Sequence, residues 1–188
     1  MGARHGEVVS RRVFVARGAM AAALGFGTTV RAQVSRLLRY GRLSQPVVVP
    51  LDAVSTPWRV RPFVAEAVTL PSAATPNQPV RISGMIVRVA VGERPEQFSA
   101  VCVRCPHELC DVDYVDDPKR LPQEIVNEIG RPVTEPVYVC PCHNSTFKVD
   151  GERLSGPAPR GLYRFRVTGV GAASVEIAEV EEDVLIFV

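Results

Sequence analysis

Cysteine and histidine side chains are concentrated in two short segments of this 188-residue chain. The first segment reads CPHELC (residues 105–110) and the second CPCHNS (residues 140–145). In each, a cysteine and a histidine are separated by one or two residues, so each segment can form a loop that presents one thiolate and one imidazole to a metal. Sulfur and imidazole nitrogen are ligands of zinc and of iron-sulfur clusters. The sequence therefore predicts a metal centre built from two loops.

The Cys-X-His and Cys-X-X-His spacings resemble the Rieske 2Fe-2S motif, in which two cysteines hold one iron and two histidines hold the other. The resemblance covers about residues 98–166 and implies one 2Fe-2S cluster per chain. It implies that Cys105 and Cys140 are the thiolate ligands and that His107 and His143 are the imidazole ligands. In the mechanism that it implies, these two histidines are also the catalytic residues, because an exposed imidazole can hydrogen-bond quinol and accept its proton.

Other residues match the form of this motif found in quinol-oxidising cytochrome bc-type complexes. Cys110 and Cys142 occupy the positions that form a loop-to-loop disulfide in that group, and a disulfide requires an oxidising compartment. Ser145 stands where the family places a hydroxyl donor to a cluster sulfur, which makes it a further cofactor-binding residue. Residues 156–159, GPAP, resemble the family's proline-rich covering loop.

Several positions depart from the family pattern. Glu108 replaces an apolar residue that usually follows the first histidine, Asn144 replaces a usual glycine, and Phe147 stands where a tyrosine hydroxyl normally donates toward a ligand cysteine. The interval between the two loops is about twice the usual length, and the insertion at 111–136 carries seven acids against three bases. These changes leave the expected fold intact and bear on the docking partner.

Zinc is the rival metal. Cys102 and Cys105 form a Cys-X-X-Cys pair that could join Cys140 and Cys142 in a tetrahedral site. That arrangement leaves both histidines without a role, so the cluster is favoured. Cys102 is then the odd cysteine, and we expect it to be a free thiol on a buried strand.

The N-terminal part has the order of an export signal. Residues 10–15 read SRRVFV and precede an uncharged run rich in Ala and Gly at 18–30, which resembles a twin-arginine signal. We assign residues 1–32 to this signal or to a signal-anchor helix, residues 33–57 to a basic segment and proline-rich hinge linker, and residues 58–188 to the Rieske-type domain. Whether the signal is cleaved stays open.

Charge is divided unevenly along the chain. Residues 1–42 carry eight arginines and a single acid, whereas the rest carries 14 basic and 19 acidic side chains, for a formal net charge of +2. This charge balance argues against a uniformly basic surface, and no nucleic-acid partner is expected.

The body of the chain has the pattern of an all-β protein, with short β-like runs separated by loops that contain Pro and Gly. The runs are 64–70, 80–91, 98–103, 137–139, 162–170, 174–180 and 184–188. The exception is 121–129, where Pro122 and Gly130 frame a short helix. The fold expected with the resemblance is a Rieske-type antiparallel β-sandwich base with a cluster-binding subdomain at about 98–160, preceded by the N-terminal signal or anchor helix.

The function implied is electron transfer by the iron-sulfur subunit of a quinol:cytochrome c oxidoreductase, which is catalytic only as part of its complex. The implied partners are quinol, cytochrome b-type and c-type subunits, and a membrane reached through the N-terminal segment. The expected location is the periplasmic side of a bacterial cytoplasmic membrane. Two alternatives stay open, namely the small Rieske subunit of an arsenite-oxidase-type molybdoenzyme and a stand-alone electron carrier.

Overall fold

The structure, a computed structural model, describes residues 38–187. The predicted export signal at 1–32 and the first residues of the predicted linker lie outside this range. None of the helices within residues 38–187 has the length and apolar character needed to cross a membrane.

The larger of two sheets has six antiparallel strands in the order β1-β10-β9-β4-β3-β2. Apolar and polar residues alternate along its central strands, as expected where one face is buried. In β9, for example, Phe165 and Val167 point into the core between the more exposed Arg164, Arg166 and Thr168. The strands are Tyr40–Pro50 (β1), Val60–Val68 (β2), Pro79–Arg88 (β3), Phe98–Cys102 (β4), Arg164–Val170 (β9) and Ser174–Glu181 (β10).

The smaller sheet has four short antiparallel strands in the order β5-β6-β7-β8. They are Asp113–Val115 (β5), Val137–Val139 (β6), Thr146–Lys148 (β7) and Arg153–Ser155 (β8). A second core joins the two sheets, because Val87 and Val101 of the large sheet belong to the same buried cluster as Tyr138 and Phe147 of the small one. The all-β class and the two-part architecture predicted from the sequence are confirmed.

The predicted helix in the insertion is present as α1, Gln123–Ile129. It starts after Pro122 and ends at Gly130, whose φ of 72° gives the left-handed C-terminal cap that glycine favours. Ile125 is buried in a third cluster with Leu121 and Val137. The insertion thus has a small core of its own against the second sheet.

Two predicted elements differ in the structure. Residues 40–50 of the predicted hinge linker form strand β1, paired with β10, and Leu43, Val49 and Val54 are buried in the main core. The linker prediction is therefore wrong for this stretch, and the domain begins before residue 58.

The apolar run 184–188 was expected to be a strand, but Val184–Phe187 is a short helix, α2, whose Val184 and Leu185 pack into the main core.

Candidate metal centre

The two cysteine- and histidine-bearing segments form loops with the same backbone. The first runs from Cys105 to Cys110, and the second, from Cys140 to Ser145, joins β6 to β7. In each loop the amide of the first residue donates to the carbonyl of the sixth, and the amide of the fifth donates to the carbonyl of the first. These bonds are Cys105 N to Cys110 O at 2.8 Å, Leu109 N to Cys105 O at 3.0 Å, Cys140 N to Ser145 O at 2.8 Å and Asn144 N to Cys140 O at 2.9 Å.

The fifth residue of each loop has a left-handed backbone, with φ of 60° at Leu109 and 58° at Asn144. Asparagine tolerates this conformation, whereas a leucine is disfavoured there. The reversal at these positions closes both loops tightly. It brings the first loop back to an antiparallel bridge between Arg104 and Asp111, whose side chains also pair at 3.2 Å.

The thiols of Cys105 and Cys140 lie at the buried side of the loops. Both cysteines are buried and neither belongs to a disulfide. Burial, and to a lesser extent the neighbouring Cys140, raise the pKa of the Cys105 thiol, whereas the His107 backbone amide and the nearby Ser145 hydroxyl oppose that rise. Ser145 is itself fully buried, and its Oγ accepts from the amide of Ala158 at 3.0 Å. The structure thus brings together the two predicted thiol ligands and the predicted hydroxyl donor.

The two imidazoles lie on the exposed side. The rings of His107 and His143 meet edge to face, with centroids 4.9 Å apart. A carboxylate oxygen of Glu108 lies 3.7 Å from Nδ1 of His143, and both side chains are about half exposed. Glu108 therefore places a negative charge at the same exposed edge.

The structure contains the disulfide between Cys110 and Cys142, which ties one loop to the other. The sulfur of Cys140 lies within 4.8 Å of both disulfide sulfurs. With Cys142 bonded in this way, the alternative four-cysteine zinc site lacks a ligand. Cys102 is a free, buried thiol at the end of β4, as expected, and burial raises its pKa to about 11.

Residues 156–159 cover the second loop closely. Gly156 has φ of 89°, and a Cβ at this position would stand 2.3 Å from the Cα of Ser145, so only glycine fits. The predicted covering loop is therefore packed against the second loop.

Phe147, which replaces the expected tyrosine, is fully buried in the same hydrophobic core as Cys105 and Cys140.

Two charged side chains that hold this covering loop were not found from the sequence. Glu128 of α1 accepts a hydrogen bond from the amide of Gly156, and Arg160 pairs with Glu181 of β10. Both contacts join residues more than 20 positions apart, and neither residue stands in a motif. No local pattern could have indicated them.

The donor set fits an asymmetric cluster. Two buried thiols on one side and two exposed imidazoles on the other could supply two sulfur and two nitrogen ligands from the two loops. An all-β domain with this set of side chains has the donors that an iron-sulfur protein with mixed cysteine and histidine ligation requires.

Comparison with known proteins agrees with this class. A family model described as the Rieske [2Fe-2S] domain matches residues 63–166, which is more than half of the chain. The chain belongs to the Rieske [2Fe-2S] domain family, and its cofactor is a 2Fe-2S cluster.

One curated relative is the cytochrome b6-f complex iron-sulfur subunit of Chlorobaculum thiosulfatiphilum, 31% identical over 84 residues. The match covers 44% of this chain and 37% of that relative's length. A similar solved structure is the cyanobacterial plasma membrane Rieske protein PetC3 from Synechocystis PCC 6803. Its identity is 23%, its TM-score 0.34, and the match covers 60% of this chain and 84% of that one.

Proposed function

We propose that this protein is the electron-transferring iron-sulfur subunit of a quinol:cytochrome c oxidoreductase of the cytochrome bc type. Cys105 and Cys140 are assigned to one iron, and His107 and His143 to the other. The observation that carries the proposal is the pair of adjacent, exposed imidazoles on the outer side of two buried thiols. This arrangement leaves the histidine edge open to a substrate and keeps the sulfur side dry.

A bound 2Fe-2S cluster supplies one-electron acceptance and donation. The chain's own residues supply the proton chemistry. The exposed imidazole of His143 accepts a hydrogen bond from a quinol hydroxyl and takes its proton, and His107, with its ring centroid 4.9 Å away, flanks the same edge. The disulfide holds the two loops together, so the two imidazoles keep their relative position.

The proposed partners are a cytochrome b-type subunit, a c-type cytochrome that accepts the electron, and quinol. Support comes from the curated relative, which is the iron-sulfur subunit of a cytochrome b6-f complex. The proposed location is the periplasmic face of a bacterial cytoplasmic membrane, reached through the N-terminal segment. The twin-arginine pair at Arg11 and Arg12 supports export, as does the disulfide.

Replacing both arginines by lysine is expected to retain the protein in the cytoplasm, and normal export of that variant would contradict this assignment.

Ligand exchange tests the proposed centre. His107→Ala and His143→Ala are each expected to abolish the low average g value that a mixed His/Cys 2Fe-2S cluster shows by electron paramagnetic resonance. His5→Ala is the matched control, because His5 is the third histidine of the chain and lies in the N-terminal segment. An unchanged spectrum in either ligand variant would refute the assignment.

Copurification tests the complex. Mild solubilisation of the tagged full chain is expected to recover a cytochrome b-type subunit. Recovery of a large molybdopterin protein would instead identify the arsenite-oxidase-type alternative, and recovery of the chain alone would support a stand-alone carrier.

A further inference from the structure

Helix α1 of the insertion is held firmly against the small sheet. Ile125 is buried at its inner face, and Ile129, one turn later, packs in the same cluster as Leu154 of β8. Leu154 precedes the covering loop 156–159 by only two residues. The helix and the loop are therefore anchored to the same strand.

Glu128 connects the two. Its Oε1 accepts a hydrogen bond from the backbone amide of Gly156, the first residue of the covering loop, at 2.9 Å. The carbonyl of Gly156 accepts from Nη1 of Arg153 at 2.5 Å, so both polar groups of this peptide unit are held by side chains. A carboxylate in the last turn of a helix interacts unfavourably with the partial negative charge of that helix end. Helix stability thus gives no reason for an acid at position 128, whereas the contact to Gly156 does.

The covering loop passes this constraint to the metal centre. Two residues after Gly156, the amide of Ala158 donates to Ser145 Oγ at 3.0 Å. The Ser145 hydroxyl lies beside Cys105 and lowers the pKa of its thiol. Because the amide occupies an acceptor site of the hydroxyl oxygen, it fixes where that oxygen lies and leaves the hydroxyl proton free to donate.

We propose that Glu128 is a positioning residue for the cluster: it holds Gly156, keeps the Ala158 amide on Ser145, and thereby fixes the Ser145 hydroxyl beside Cys105, where it donates to a cluster sulfur. The acidic insertion then tunes the reduction potential, since hydrogen bonds to cluster sulfurs favour the more negative reduced state. The inference rests on the proposed assignment of Cys105 as a ligand.

The far end of the loop is held separately. Arg160 pairs with Glu181 and Asp183 and lies over the ring of Tyr163, 4.2 Å from its centroid. Loss of the Glu128 contact is therefore expected to loosen residues 156–158 without releasing the loop as a whole.

Hydrogen exchange on the cluster-loaded full chain tests the first step. Pro157 and Pro159 have no amide hydrogen, so between residues 156 and 159 only Gly156 and Ala158 report. In Glu128→Ala their exchange is expected to be about tenfold faster. Glu128→Gln keeps an acceptor oxygen and is expected to stay within about twofold of the natural protein. Equal exchange in all three proteins would overturn the proposal.

The reduction potential tests the second step. Glu128→Ala is expected to lower it and Glu128→Gln to restore it, while Glu124→Ala, which removes the same charge from the first turn of the same helix, should have no effect. In a Ser145→Ala background, Glu128→Ala should produce no further shift. If Glu128→Ala still shifts the reduction potential in the Ser145→Ala background, the effect does not pass through Ser145. If Glu128→Gln and Glu124→Ala give the same shift, the cause is the lost charge. Either result would overturn the proposal. Faster exchange without any shift in potential would also overturn it, whereas the proposed function is judged by the spectra of the histidine variants.

Discussion

At the scale of single residues, the two metal loops use one backbone for different purposes. Position by position, Glu108 of the first loop corresponds to His143 of the second, and the two side chains face each other at 3.7 Å. His107 corresponds in the same way to Cys142, which is occupied by the disulfide. The motif could be recognised from residue types and spacing alone. The facing of Glu108 and His143 could not, because it depends on how the two loops meet in space.

The left-handed positions give a pair of opposite predictions. Leu109 is exposed by 52% and gains little burial in return for a disfavoured φ of 60°. Leu109→Asn is expected to stabilise the protein by about 1 kcal/mol, and Asn144→Leu, at the equivalent position, to destabilise it by a similar amount. Thermal unfolding of both variants measures this. Changes of the same sign would show that backbone strain is not the cause.

A buried hydroxyl near the cysteines is predicted to raise the reduction potential. Phe147→Tyr adds a hydrogen-bond donor in the hydrophobic core that contains Cys105 and Cys140. A hydrogen bond worth 0.5–1.5 kcal/mol corresponds to about 20–65 mV for a one-electron couple. Voltammetry of the cluster-loaded protein provides the measurement. A fall, or no change, would mean that position 147 does not set the potential.

Tyr138→Phe is the matched control. Tyr138 lies directly across β6 and β7 from Phe147, and its buried hydroxyl has no hydrogen-bond partner among the described residues. Its removal is expected to leave the potential unchanged. It should also stabilise the fold by about 1 kcal/mol, because an unpaired buried hydroxyl is unfavourable.

At the scale of elements, periodicity predicted the long central strands and missed those that depend on pairing. Strand β1 contains Pro46 and Pro50, which indicated a linker, yet both prolines are exposed on the edge strand, where a missing amide donor is tolerated. The register also shifts between Arg42 and Val47, next to Pro46. Strands β5, β7 and β8 have three residues each, too few for a period to be visible. Strand β6 is equally short and was predicted only because all three of its residues, VYV, are apolar or aromatic.

The disulfide is an element-scale constraint with a measurable effect. Cys110 and Cys142 are 32 positions apart, and closing a loop of this length stabilises the folded state by about 3–4 kcal/mol in a chain-entropy estimate. Cys110→Ser and Cys142→Ser are each expected to lower the unfolding temperature and hasten loss of the visible cluster absorbance. The double variant should match the single ones. A double variant markedly less stable than either would show that the cysteines act separately.

At the scale of the whole molecule, an ion pair between a partly exposed arginine and a buried carboxylate joins the metal-binding part to the large sheet. Arg160 follows the covering loop, and its guanidinium pairs with the carboxylate of Glu181, which is only 2% exposed at the end of β10. Burial raises the pKa of Glu181, while Arg160 and Arg164 oppose the rise. The folded protein therefore holds this proton more tightly than the unfolded chain. The contribution of the group to stability is full at low pH and declines as pH rises through its raised pKa.

Arg160→Ala should make this decline larger and extend it to higher pH. Without the guanidinium, the pKa of Glu181 rises further, and ionisation leaves a buried charge that lacks its main partner. We expect a small loss of stability near pH 4, where the carboxyl is protonated, and a loss of about 2 kcal/mol at pH 7, below the usual 3–5 because Arg160 is partly exposed. Unfolding temperatures of the natural protein and of Arg160→Ala across this pH range test the prediction. Adding Glu181→Gln to Arg160→Ala should remove the part of the pH dependence that comes from Glu181. An equal loss at both pH values would indicate that Arg160 acts through its packing on Tyr163 instead.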